Sequence, residues 1–184
     1  MDKTLATGKL PPEILRKIIE KTPKFDDRLI LGPGVGLDCG VVDMGDRCLI
    51  LKVDPITFVT NDIGWYAVNI AANDIATTGA KPVWMMLSAL FPAGKTDEAL
   101  ILRVTDQVAQ SCAELGITLA NAHTEITHDL DRPILTCSLI GEVAKEKLIL
   151  PTGAEPGNDI LLTKGIPIEG TAILANEFPE RLAG

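Results

Sequence analysis

The sequence predicts a mixed α+β domain. Two patterns point to it. Strand-like segments neighbour one another at 41–53 and again at 117–143, and helical patterns at 63–78 and 96–115 fall between them without a regular strand–helix alternation. The chain also has the material for a core: 184 residues, 46% of them hydrophobic, with a mean hydropathy of +0.23. A chain of that length buries about two thirds of its unfolded surface.

Glu13–Glu20 reads as a short helix. Pro11 and Pro12 precede it, Ile14, Leu15, Ile18 and Ile19 give it an apolar side, and Pro23 limits it. A glycine-rich segment runs from Leu31 to Gly40. Val41-Val42 and Arg47–Val53 read as strands around a turn at Gly45-Asp46, the second ending at Asp54-Pro55 because proline cannot continue a central ladder. In Ile63–Thr78, Trp65, Val68, Ala72 and Ile75 recur at helical spacing; Asn61 or Asp62 is the expected cap and Gly79 the stop. Val83–Phe91 reads as a buried strand. Thr96 is the expected cap of a helix reaching Leu115, with Gly116 ending it. Ile117–Asn121 and Ile134–Val143 read as strands, Ile160–Thr163 as a further strand and Glu169–Asn176 as a further helix. The expected organisation is an N-terminal helical extension at 1–30, a domain at 31–152, and a linker with the incomplete start of a second domain at 153–184.

Lys+Arg number 17 against 25 Asp+Glu, a net charge of −8. That balance argues against a nucleic-acid or anionic-membrane partner, both of which need a positive field. No apolar run reaches the ~18 residues of a spanning helix, and no apolar segment resembling a signal peptide precedes Pro12, so the expected location is cytoplasmic. Cys39, Cys48, Cys112 and Cys137 contain no CxxC pair and the chain has two histidines, which disfavours structural zinc and leaves buried free thiols as the expectation.

Four groups of residues could carry chemistry. Gly32, Gly34 and Gly36 alternate ahead of Asp38, and such a loop either lets backbone amides approach phosphate or is simply turn-rich; it is not a Walker A loop. Asp38, Asp54 and Asp74 lie at element ends or inside otherwise apolar elements, Asp74 beside Asn73. Converging carboxylates suit Mg²⁺, whereas each alone also reads as a cap or surface residue. Asn121-Ala122-His123-Thr124-Glu125 delivers polar groups from a strand into a loop, where His123 could be an acid–base group or a ligand and Glu125 a base or a metal ligand. Thr163-Lys164-Gly165 precedes a helix start, a place that favours anions, and equally reads as a loop joining two domains.

In this order the residues resemble the aminoimidazole ribonucleotide (AIR) synthase, or PurM-like, superfamily. Asn73-Asp74-Ile75-Ala76-Thr77-Thr78-Gly79-Ala80-Lys81-Pro82 resembles its ND(I/L)-x-x-x-GA-x-P element. Gly34–Val42 resembles its glycine and acidic-pair loop, with Cys39 in the place of the second acid. Val53-Asp54-Pro55 resembles the aspartate after its first long strand, and Ala122–Glu125 its GGDT or GGET loop. Residues 159–175 are similar to the start of the second domain of the hydrogenase-maturation branch. The resemblance implies a PurM N-terminal-like ATP-binding domain, with a mixed or antiparallel sheet packed with helices and dimerising into a barrel-like assembly. It implies ATP and Mg²⁺ as cofactors, with Asp38, Asp54 and Asp74 as metal residues, Gly34, Gly36, Asn73, Thr124 and Lys164 as nucleotide residues, and His123 and Glu125 as catalytic ones. The expected partners are a second copy of the chain and a small-molecule or protein-thiocarboxamide substrate, activated by phosphoryl transfer from ATP. The alternative is a non-catalytic structural or dimerisation domain.

Overall fold

The computed structural model describes residues 4–163 and 165–181, in two compact units, Met1–Pro151 and Thr152–Gly184. In the first unit, helix α1 (Pro12–Glu20) precedes six strands: β1 (Leu29–Leu31), β2 (Gly40–Asp43), β3 (Arg47–Ile56), β4 (Lys81–Pro92), β5 (Thr118–Thr127) and β6 (Ile134–Ala144). Helices α2 (Ile63–Thr77) and α3 (Glu98–Leu115) flank β4 in sequence. The strands form one sheet in the order β1-β2-β3-β6-β4-β5, mixed because β4 and β5 run parallel and every other pair is antiparallel. The parallel pair is possible because α3 spans the crossover.

One face of the sheet is the core. Cys48, Ile50 and Ile56 of β3, Met85, Leu87, Ala89 and Phe91 of β4, and Leu135, Cys137, Leu139 and Val143 of β6 alternate as buried positions. Helix α2 covers them with Ile63, Ala67, Ala71 and Ile75, all fully buried. Its small residues let the helix lie close to the strands. At Gly141, in central β6, an added methyl would overlap Ile75 Cγ2 and come within 3.0 Å of the Lys81 carbonyl. The α2–α3 crossing is as tight, since a methyl on Gly64 would lie 2.5 Å from the Val104 carbonyl.

Several expectations are corrected. β3 continues through Pro55 to Ile56, pairing Pro55 with Thr136. β2 accompanies β3 only as far as Leu51, so Pro55 falls on an open edge where a missing N–H costs no ladder bond. Strand β1, not foreseen, leads into the glycine loop. Asp62 occupies the N-cap of α2 in a left-handed conformation and makes no side-chain cap; Gln107 of α3 takes the role, accepting from the Gly64 N–H at 3.1 Å. Asp97, one residue after Thr96, caps α3 by accepting from Leu100 N–H at 2.8 Å. β5 extends to Thr127, so 121–125 is strand and not loop.

In the second unit, Ile160–Thr163 is not a strand; Ile160 and Leu161 are almost fully exposed, and no strand pairs with this segment among the described residues. Helix α4 (Ile168–Glu177) is present. The four cysteines are buried free thiols, and no helix of the described residues is long and apolar enough to cross a membrane.

Gly141→Ala should lower stability by about 1–3 kcal/mol through overpacking against α2. Gly153→Ala, where a methyl meets nothing within 4 Å, should leave the urea midpoint unchanged.

Candidate functional site

The alternation that builds the core also carries charge. Continuing inward from Cys48 and Ile50, the next even positions of β3 are Lys52 and Asp54, so both side chains point under the helices. Asp74 descends from α2 on the same side. The Lys52 ammonium meets the Asp74 carboxylate at 2.6 Å and the Asp54 carboxylate at 3.9 Å, and the Lys52 side chain is 8% exposed. Burial works to lower the Lys52 pKa, but the hydrogen bond to Asp74 and the attraction of Asp74, Asp54 and Asp38 outweigh it and hold the ammonium charged. Asp54 is raised above the usual carboxylate range, first by burial and then by repulsion from Asp74 and Asp38, with Lys52 and Lys9 opposing.

Asp38 stands exposed on the loop between β1 and β2, and its charge reaches Lys52, Asp54 and Cys39. The loop turns at Gly36, whose φ of +80° is a conformation that favours glycine. A methyl on Gly34 would overlap the Leu37 side chain, 2.6 Å from Cδ1 and 3.2 Å from Cγ. Cys39 is buried, and burial followed by repulsion from Asp74 pushes its thiol up to about 11. It therefore supplies no negative charge at neutral pH. Asn73 is exposed on α2 beside Asp74.

The structure thus gathers Asp38, Asp54 and Asp74 and adds a residue that sequence reasoning missed, Lys52. A signal for it existed: a lysine at an inward-facing register position demands buried anions. Among the described residues, no group of three or more His, Cys, Asp or Glu side chains is arranged to hold a metal ion. Where the carboxylates converge, an ammonium stands between two of them.

His123 and Glu125 are elsewhere. They pair with Ser88 and Leu90 of β4 and project from the opposite, open face of the sheet. Pro55, Thr136, Ser88 and His123 form one row across β3, β6, β4 and β5. His123 is therefore three strand spacings, about 14 Å, from the end of β3. His123 Nε2 lies 3.1 Å from Glu125 Oε2, and both side chains are exposed. Glu125 is held below the ordinary range by hydrogen bonds from His123 and Thr127. Thr124, between them in sequence, points the other way and lines a cavity of about 350 Å³ with Leu87, Val108, Cys112 and Leu119. Lys164 lies outside the described residues.

Residues 36–143 match the family described as AIR synthase related protein, N-terminal domain. This chain belongs to that family. It is 29% identical over 178 residues to a protein named as a hydrogenase expression/formation protein of Methanocaldococcus jannaschii, covering 92% of this chain and 52% of the relative. It is 29% identical over 179 residues to the selenide, water dikinase of Rhizobium meliloti, covering 93% and 50%. The chain thus spans about half the length of the curated relatives it matches. Among solved structures, the hydrogenase maturation protein HypE superposes with a TM-score of 0.64 at 21% identity, over 90% of this chain and 48% of that one. A structure of HypE in complex with ATP gives 0.55 at 20%, over 78% and 39%. These likenesses establish the PurM-like α+β fold.

Asp74→Ala should destabilise the first unit by about 1–3 kcal/mol, because it strands the Lys52 ammonium under α2. His123→Ala, on an exposed face, should leave the denaturation midpoint unchanged.

Proposed function

We propose that this chain is the ATP-binding half of an AIR synthase-related enzyme that activates an oxygen- or amide-type substrate by phosphoryl transfer. The observation that carries the reading is the meeting of Asp54 and Asp74 around Lys52 on the helix side of β3, within reach of the charge of Asp38 on the loop that turns at Gly36. Family membership supports it, as does a selenide, water dikinase among the relatives and an ATP complex among the structural neighbours.

The donor set suits Mg²⁺ in kind, since the ion takes hard oxygen ligands and keeps few protein ones. Asp38, Asp54 and Asp74 are not arranged around an ion in this structure and would have to close on it to hold it; when bound it would neutralise phosphate charge. The chain's own contributions are separate. The backbone around Gly34 and Gly36 would approach the phosphates, and Asn73 would donate from the exposed side of α2; Lys164 is a proposed nucleotide residue from the sequence alone. Catalysis of this kind rests on positioning and charge neutralisation.

His123 and Glu125 project from the sheet face opposite the carboxylates, so within one chain they serve a different space. We propose that His123 and Glu125 meet the nucleotide of a second copy in a homodimer; Thr124, which lines the cavity on the α3 side of β5, would not reach it from that face. The open sheet face exposes Leu51, Val53, Trp84 and Met86, an apolar strip suited to such a contact. The hydrogen bond between His123 and Glu125 would then orient the imidazole as an acid–base group. A small-molecule or protein-thiocarboxamide substrate remains the proposed acceptor class, and a cytoplasmic location the proposed setting. The second reading, a dimerisation domain without catalysis, is favoured by Cys39 in the place of an acid.

Calorimetric titration with ATP, with and without Mg²⁺, tests the reading. Binding that strengthens with Mg²⁺ and weakens in Asp54→Asn supports it. No heat at millimolar nucleotide removes the ATP-binding and catalytic roles together.

A further inference from the structure

The carboxylate site already contains a cation, and that cation belongs to the chain. Lys52 Nζ lies 2.6 Å from Asp74 and 3.9 Å from Asp54, with 8% of its side chain exposed. An ordinary surface ion pair is mobile and solvated. This one is held from below by strand β3 and from above by helix α2. A divalent ion held by the same oxygens at about 2.0–2.1 Å would fall within a few ångströms of the ammonium, where repulsion in a part-buried setting is strong. The two cations therefore compete for the same carboxylates in this arrangement. A lysine stem is nevertheless flexible, with rotatable bonds that allow the head to withdraw.

We propose that the Lys52 ammonium is the resident cation of the carboxylate site, and that a divalent ion enters only by displacing it. Lys52 is thus a positioning residue that sets the metal affinity of the site. It keeps Asp54 and Asp74 neutralised while no metal is present, and it makes metal entry costly unless another anion receives the displaced ammonium. A nucleotide phosphate is such an anion, so metal and nucleotide would bind together better than either alone. Asp38, exposed and not paired with Lys52 in a salt bridge, is the carboxylate from which an entering ion would start.

The inference rests on the nucleotide reading only for the choice of a divalent ion, and a nucleotide-free experiment separates the two. Mn²⁺ titration of the full 184-residue chain, followed by electron paramagnetic resonance, compares wild type with Lys52→Met, Lys52→Gln and Lys52→Met/Asp74→Asn. The neutral variants should bind Mn²⁺ at least about tenfold more tightly than wild type, because a repelling unit charge has been removed. The double variant should lose most of that gain. A variant that folds only when Mn²⁺ is added also supports displacement. Equal Mn²⁺ affinity in wild type and both neutral variants overturns the proposal, and so does failure of both to fold even in excess Mn²⁺. A chain that gains Mn²⁺ affinity in Lys52→Met yet never binds ATP refutes the nucleotide reading alone.

Discussion

The ammonium of Lys52, clamped between a strand and the helix above it, is the interaction around which the candidate site is built. Burying a charge is tolerable only with a partner, and a buried lysine fixes where its carboxylates must be. Asp74 therefore has to descend from α2 toward β3, which it can do because α2 lies close to the sheet. That closeness comes from Ala67 and Ala71 on the helix and Gly141 on β6, where an added methyl would strike Ile75. Small residues chosen for packing thus set the reach of a charged group. The link runs from sequence through helix–sheet distance to electrostatics.

The sheet imposes the second constraint. Alternation along a strand sends neighbours to opposite faces, so one strand cannot deliver both a buried carboxylate and an exposed imidazole to the same space. Lys52 and Asp54 go under the helices, while Leu51 and Val53 go to the open face. Across the sheet, His123 and Glu125 join that open face and Thr124 leaves it. Residues that look like one cluster when written in a line are three separate environments in the fold. The proposed homodimer would bring the open face of one copy to the carboxylates of another, and the apolar strip on that face offers a surface for it.

Most of the architecture could be read from the sequence because apolar spacing records it directly. The α2 pattern and its Gly79 stop, the length of α3, and β6 all follow from residues whose side chains enter the core. What was not legible depended on partners. Whether β3 passes Pro55 depends on where β2 stops. Which residue caps α2 depends on Gln107, more than forty positions away in sequence. Only the start of β5 reads as strand in the sequence; its continuation to Thr127 does not, because nearly all of its positions are exposed, leaving no apolar alternation to see. Ile160–Thr163 has strand composition but pairs with no strand among the described residues. For the site, the aspartates could be singled out by their type and spacing. Their occupant was legible only through the alternation with Cys48 and Ile50, since a lysine in a strand otherwise reads as solvated.

The central claim is that Lys52 and Asp74 are energetically coupled and that this coupling organises the carboxylates. A double-mutant cycle on urea stability, using Lys52→Met, Asp74→Asn and the pair, measures it directly. The account predicts a coupling of at least about 1 kcal/mol, with the double variant more stable than the sum of the single losses would allow. Strictly additive losses would contradict it, because they would mean that the ammonium and the carboxylate do not depend on one another.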